Sequence, residues 1–164
     1  MIKLTLKDGS IREAQKGQSA ADIVKSIGSG LLKAACCVKI NGNVADLRTI
    51  INDDCEFEVM TFDSIEGKKT FWHTGSHILA QAVKRLYPEV KLAIGPAIDN
   101  GFYYDFDVPK PFTAEELLNI EAEMKKIVKE GIKLEQFEMS PEDAIAYLKE
   151  QGEPYKVELC EEHA

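Results

Sequence analysis

The second half of the chain is built on one segment, Phe71-Trp72-His73-Thr74-Gly75-Ser76-His77-Ile78-Leu79-Ala80. Its two histidines stand four residues apart, a spacing that places both side chains on one face of a helix. Apolar residues recur at about 100° per residue between Thr70 and Tyr87 and share the opposite face: Phe71, Ile78, Leu79, Ala82, Val83 and Leu86. We therefore predict a helix that Pro88 ends, with its histidines facing water or a cleft.

Length and charge limit what the rest of the chain can be. The 164 residues, 45% of them hydrophobic, suffice for one modest domain or two small ones. The net charge is −8, and residues 64–164 carry 12 basic against 19 acidic groups. Because affinity for nucleic acids depends largely on cations that replace condensed counterions, we expect this chain alone to bind a polyanion weakly.

The composition is that of a cytoplasmic protein. No apolar run approaches the ~20 residues of a membrane helix, and the first residues lack the hydrophobic segment of a signal peptide. The four cysteines form no regular framework, so reduced thiols are predicted for Cys36, Cys37, Cys55 and Cys160.

Residues 1–63 carry the pattern of a small mixed sheet with one helix. A hairpin is predicted around Asp8-Gly9, followed by a helix that Ser19 caps and Gly28 ends in a left-handed conformation. A strand over 36–40 leads into the turn Asn41-Gly42, and a last strand covers 55–61. This order predicts an α+β fold that begins with a ubiquitin-like β-grasp domain, in which no residue suggests catalysis.

The polar segment 63–69 is the predicted domain boundary, so that a second α+β domain covers 64–164. In it we predict a hairpin whose strands, 92–98 and 102–108, flank a primed turn at Asp99-Asn100-Gly101. Thr113 and Glu116 form a capping box before a helix whose predicted buried stripe is Leu117, Ile120, Met124, Ile127 and Val128. A strand over 134–138 follows. Ser140-Pro141 then opens a helix whose Ala144, Tyr147 and Leu148 face inward, and a final strand covers 155–159.

Two imidazoles at this spacing suit several chemistries. They can bind a metal, hold a water for general-base catalysis, hydrogen-bond a polar substrate, or be surface residues without a site. A metalloprotease needs Glu where Thr74 stands. Cys160 and His163 are the candidate additional zinc ligands. Ser76 lies to the side of His73 away from His77, which disfavours a Ser-His couple.

Two resemblances follow from the motifs. Residues 1–63 resemble a TGS domain through Leu6-Lys7-Asp8-Gly9-Ser10, Ile27-Gly28-Ser29-Gly30-Leu31 and Val38-Lys39-Ile40-Asn41-Gly42. The whole chain resembles the N-terminal half of bacterial threonyl-tRNA synthetases through the stretches 72–79, 93–105 and 152–157. The second domain is thereby identified with the N-terminal part of the editing domain, truncated at its C-terminus.

That resemblance implies hydrolysis of mischarged Ser-tRNA(Thr). His73 and His77 would position the attacking water and the terminal ribose hydroxyls, Tyr104 would shape the pocket, and Lys156 would hold a polar or charged part of the substrate. No metal or cofactor is expected in this chain. ATP, Mg and zinc would belong to the aminoacylation core of the full enzyme, a homodimer that binds tRNA(Thr), whereas this chain alone is expected to be monomeric.

The chain also departs from the family pattern. An acidic residue and a Cys-x-x-x-His motif that complete the pocket are absent, and Cys160-Glu161-Glu162-His163 is one residue too short to supply the motif. The chain alone is therefore expected to edit poorly or not at all. Two alternatives remain open, a non-catalytic TGS-type module that binds RNA or protein and a zinc-binding domain.

Overall fold

A five-stranded mixed sheet forms the frame of the first part of the chain. The computed structural model describes residues 1–164, and its backbone contacts divide them into two units, Met1–Trp72 and His73–Ala164. The elements of the first unit, before its last helix, are β1 Ile2–Thr5, β2 Ile11–Ala14, β3 Gln18–Ser19, α1 Ala20–Ile27, α2 Ser29–Ala34, β4 Ala35–Ile40, β5 Asn43–Ala45, β6 Ile50–Ile51 and β7 Cys55–Thr61.

The strand order in this sheet is β2-β1-β7-β4-β5. The β1–β7 pair is parallel and the other pairs are antiparallel. Apolar side chains from α1 and from the strands form one core, made of Ile2, Leu4, Ala14, Ala20, Ile23, Val24, Val38, Ile51 and Phe57. The predicted β-grasp arrangement is confirmed, with the short α2 as an additional helix.

Most of the local structure that the sequence predicts for this unit is present. The hairpin at Asp8-Gly9 forms, Ser19 caps α1 by accepting a hydrogen bond from the Asp22 N–H at 3.1 Å, and Asn41-Gly42 forms a turn with φ of 49° and 79°. The left-handed conformation predicted for Gly28 is wrong. Its φ is −178°, an extended conformation, and its N–H donates to the Val24 carbonyl while the chain enters α2.

The remaining elements are α3 Ile65–Leu86, β8 Lys91–Leu92, β9 Ala97–Ile98, β10 Gly101–Phe102, β11 Phe106–Asp107, α4 Ala114–Glu130, α5 Pro141–Glu150 and α6 Pro154–His163. Helix α3 begins at Ile65, so most of the segment predicted as a linker, 63–69, is helical. The Ser64 hydroxyl accepts the Gly67 N–H at 3.0 Å and thereby caps this earlier start. The division between the two units falls inside α3, after Trp72.

The buried side of α3 is narrower than its apolar stripe. Ala82 and Val83 are completely buried, whereas Phe71 and Leu86, predicted for the same face, are 52% and 37% exposed. Within its own unit, Phe71 instead packs edge-on against Phe62, with the ring centroids 5.2 Å apart. The helix ends before Pro88 as predicted.

The predicted hairpin after α3 is present in a shorter form. β9 pairs with β10 across Asp99-Asn100, and β8 pairs with β11 further from the turn. The prediction of a primed turn is wrong. Such a turn needs a positive φ at its central residues, whereas here only Gly101, at φ 148°, has one. The region is therefore an irregular hairpin rather than two continuous strands.

Helices α4 and α5 begin as predicted but bury fewer residues. The capping box of Thr113 and Glu116 is present, and Ser140 caps α5. Ile120 and Ile127 lie in the core of the second unit with Ala82, Val83 and Val90. The predicted burial of three further side chains is wrong, since the exposed fractions are 55% for Leu117, 63% for Val128 and 51% for Tyr147.

Two predicted strands are wrong. Residues 134–138 are irregular and exposed, because no neighbouring strand offers them hydrogen-bond partners. Residues 155–159 belong instead to α6, which Pro154 opens at a position where its missing N–H costs nothing. The Val157 N–H donates to the Glu153 carbonyl at 3.1 Å and closes the first turn. Lys156 consequently lies on a helix.

None of the helices combines the length and the apolar character that crossing a membrane requires.

The burial of α4 gives a test of the core. Ile120→Ala should lower the free energy of unfolding by about 2 to 5 kcal/mol, because a side chain that is 2% exposed leaves a cavity. Leu117→Ala on the same helix should change it by less than about 0.5 kcal/mol. Urea unfolding followed by circular dichroism measures both. Equal effects would contradict this orientation of α4.

Candidate functional site

The two histidines of α3 form a close pair. The Nε2 atoms of His73 and His77 lie 3.1 Å apart, so one ring donates a hydrogen bond that the other accepts. Their ring centroids are 4.6 Å apart and the planes are nearly perpendicular. Both residues are exposed, and the pair lies on the helix surface away from the buried Ala82 and Val83. This geometry suits binding of a water or a polar substrate.

The electrostatics of the pair favour a neutral imidazole. Partial burial of the ring lowers the pKa of His77, and the nearby charges of His73 and Lys156 lower it further. A neutral ring presents a nitrogen lone pair near pH 7, which a general base requires. Because the folded protein disfavours protonated His77, the contribution of this residue to stability is complete above about pH 6.5, its pKa in the unfolded chain. The contribution declines as the pH falls through the lower pKa that His77 has in the folded protein.

Lys156 lies within electrostatic range of the histidine pair. It lies in the first turn of α6, is half-buried, and its charge acts on His77. A hydrogen bond thus joins His73 and His77, and the charge of Lys156, a third of the four residues predicted for the site, acts on this pair through His77.

The fourth residue, Tyr104, belongs to an adjacent cluster on the hairpin. Its ring stacks on Phe106 with the centroids 4.9 Å apart, and it lies directly over Gly95. A Cβ on Gly95 would come within 2.1 Å of the ring. Burial raises the pKa of the Tyr104 hydroxyl, and the charge of Glu153 adds to this effect. The contacts described for Tyr104 do not join it to the histidines.

Ser76 is not a nucleophile in this arrangement. It is 1% exposed, and its hydroxyl donates to the His73 carbonyl at 2.6 Å. This bond is internal to the helix. The disfavoured Ser-His couple is accordingly not formed.

The four proposed zinc ligands do not assemble. No group of three or more His, Cys, Asp or Glu side chains in residues 1–164 has an arrangement that could hold a metal ion. His163 lies at the end of α6, where its Nδ1 is 2.9 Å from the Leu159 carbonyl oxygen. The cysteines are free thiols, and burial raises the pKa of both Cys36 and Cys55.

The sequence did not indicate a buried ion pair in the second unit. Glu153 is 5% exposed and accepts a charge-assisted hydrogen bond from Lys84 Nζ at 2.8 Å. Its second oxygen accepts the Leu92 N–H at 3.2 Å. The two charged residues are far apart in the chain, so no periodicity could have linked them. The sequence Glu153-Pro154 could have indicated only a helix start, since proline suits the first helical position.

Comparisons with known proteins concern the first unit and the chain as a whole. The family model described as TGS domain matches residues 2–61. The threonine–tRNA ligase of Clostridium tetani is 59% identical over 99% of this chain, and that of Caldanaerobacter subterraneus is 58% identical over 97%. The enzyme of Acetivibrio thermocellus is 56% identical over 97%. The chain spans about a quarter of the length of these relatives, 25% in each case.

The first unit therefore contains a TGS domain. Over nearly its whole length, the chain is similar to the N-terminal region of threonyl-tRNA synthetases.

The charge of Lys156 gives a test of the site. Lys156→Met should raise the pKa of His77, because loss of a nearby cation favours the imidazolium. An NMR titration of the imidazole C–H signals measures this pKa, and the chain's three histidines can be assigned by single substitution. Lys133→Met, at an exposed position, is the control that should leave it unchanged. An identical His77 pKa in wild type and Lys156→Met would show that Lys156 lies elsewhere.

The contact between Gly95 and Tyr104 gives a second test. Gly95→Ala should lower the unfolding temperature, because the added methyl group overlaps the Tyr104 ring. The double variant Gly95→Ala/Tyr104→Ala should lose less than the sum of the two single changes, since the second creates the space. Gly30→Ala, where a Cβ meets nothing within 4 Å, is the control. Additive losses would contradict the contact.

Proposed function

We propose that residues 64–164 are the N-terminal part of an editing domain and contribute to hydrolysis of mischarged Ser-tRNA(Thr). The observation that carries this proposal is the exposed histidine pair, with Nε2 atoms 3.1 Å apart and with His77 biased to its neutral form. The names of the relatives, threonine–tRNA ligases, supply the substrate class. Serine lacks one methyl group of threonine, which binding can discriminate by only ~1 to 3 kcal/mol, so such an enzyme needs a second, hydrolytic site.

The proposed reaction is hydrolysis of an ester. A water held by His73 and His77 attacks the carbonyl carbon that links serine to the terminal ribose, and the pair accepts the proton that this water loses. The bond from that carbon to the ribose oxygen breaks, the proton passes to the ribose oxygen, and free serine and tRNA leave.

Lys156 and Tyr104 have supporting roles in this proposal. The ammonium of Lys156 attracts either the negative charge that develops on the carbonyl oxygen or the permanent charge of the phosphate next to the terminal ribose. Its positive charge also adds to the effect of burial in lowering the pKa of His77, so one residue serves both purposes. Tyr104 shapes the wall of the pocket from its fixed place over Gly95.

The rest of the enzyme would hold most of the tRNA. The chain has a net charge of −8, which does not favour a polyanion. We propose that tRNA(Thr) and the remaining synthetase domains are the partners of this region, that the enzyme works in the cytoplasm, and that the chain alone deacylates slowly.

Deacylation of Ser-tRNA(Thr) tests the assignment. In a full-length synthetase that carries this region, His73→Ala and His77→Ala should each lower kcat by about 10²- to 10⁴-fold, the usual contribution of a general base. His163→Ala is the matched control, because this histidine lies outside the pair. Release of labelled serine from preformed Ser-tRNA(Thr) measures the rate.

Two outcomes would overturn parts of the proposal. Undiminished deacylation by both His73→Ala and His77→Ala would remove the histidines from the mechanism. Deacylation by the 164-residue chain at the rate of the full-length enzyme would show that the chain needs no further groups.

A further inference from the structure

Glu153 is the one charged residue in the chain that is fully buried. It is 5% exposed, and both its oxygens have partners, Lys84 Nζ at 2.8 Å and the Leu92 N–H at 3.2 Å. An unpaired carboxylate at such a position would cost several kcal/mol, so the pair with Lys84 is a condition for its burial. An apolar pair of similar volume would often be as stable, and stability alone therefore does not explain why charges stand here.

The partners of Glu153 belong to elements that build the candidate site. Lys84 lies on α3 seven residues after His77, which is two helical turns, and it also donates to the carbonyls of Pro88 and Val90 at 3.2 and 2.7 Å. Leu92 lies in β8, at the base of the irregular hairpin. Lys84 is thus fixed to the end of α3 before it meets the carboxylate.

Glu153 also starts the helix that carries Lys156. It is the N-cap residue of α6, and its carbonyl accepts the Val157 N–H at 3.1 Å. Lys156 follows within the first turn, where the position of the cap sets the position of the side chain. Fixing Glu153 therefore fixes the backbone position of Lys156.

We propose that Glu153 is a positioning residue of the candidate site: its carboxylate, held by Lys84 and the Leu92 N–H, fixes the first turn of α6 and thereby sets the position from which the charge of Lys156 acts on His77. Its effect on catalysis rests on the function proposed above. The placement itself concerns only this chain and can be measured without any substrate.

Titration of His77 provides the direct test, because two effects of Glu153→Gln have opposite signs. Loss of a negative charge acting through space would lower the pKa of His77, whereas movement of Lys156 away from the ring would raise it. The other charged group that acts on His77 is His73, which the substitution does not alter. We expect Glu153→Gln to raise the pKa of His77 toward its value in Lys156→Met. In a chain that already carries Lys156→Met, Glu153→Gln should not raise this pKa further.

Two further variants keep the test decisive. Glu158→Gln removes the same charge from an exposed position on α6 and should leave the pKa of His77 unchanged. If Glu153→Gln alone does not fold, Lys84→Met/Glu153→Gln removes both charges and leaves no unpaired one, while still releasing the first turn of α6. In any folded variant lacking the carboxylate, an unchanged or lowered His77 pKa overturns the proposal, as does a rise of equal size in the Lys156→Met background.

Kinetics then test the consequence for the reaction. In the full-length synthetase, Glu153→Gln should reduce kcat/KM for Ser-tRNA(Thr) deacylation by about ten- to a hundred-fold, the loss that a misplaced group can cause. It should add little to the loss in Lys156→Met. If His77→Ala proves inactive as proposed but Glu153→Gln keeps full activity, this inference fails and the proposed function stands. If the histidines prove dispensable, the titration still decides where Glu153 places Lys156.

Discussion

A buried carboxylate must be neutralised, and in this chain Lys84 neutralises Glu153. This ion pair joins the end of α3 to the start of α6. The second carboxylate oxygen of Glu153 accepts the Leu92 N–H and so holds the base of the hairpin. The histidines, the hairpin with Tyr104 and the helix with Lys156 are thereby tied to one charged group. The apolar core around Ala82, Val83 and Ile120 supplies the stability of the unit, while the ion pair specifies how these elements meet.

The proposed chemistry depends on the two histidines that α3 leaves exposed. Helix α3 buries a narrow apolar strip and presents His73 and His77 on its surface, 3.1 Å apart. The charge of Lys156 adds to the effect of burial in lowering the pKa of His77, and in the proposed reaction it would also attract developing negative charge. A water activated in this way would suit hydrolysis of an aminoacyl ester. The acidic character of the chain makes an independent tRNA-binding role the poorer interpretation.

Sequence patterns predicted the features that depend on neighbouring residues. The caps at Ser19, Thr113 and Ser140 form because their partners lie three residues away, and the β-grasp order follows from the succession of short periodic segments. Contacts between distant residues were beyond such patterns. The strand predicted at 155–159 is a helix because Glu153 and Pro154 initiate it, and Glu153 owes its place to Lys84. Likewise, no local signal shows that Leu117 or Tyr147 is left uncovered.

The position of a bound substrate tests the central claim most directly. A crystal structure of a full-length synthetase carrying this region, soaked with a non-hydrolysable amide analogue of seryl-adenosine, would locate the reacting carbonyl. We predict that this carbonyl lies beside His73 and His77, with a water hydrogen-bonded to the pair and the Lys156 ammonium on the side of the carbonyl oxygen or the phosphate position. An analogue bound in the editing domain away from both imidazoles would contradict the account.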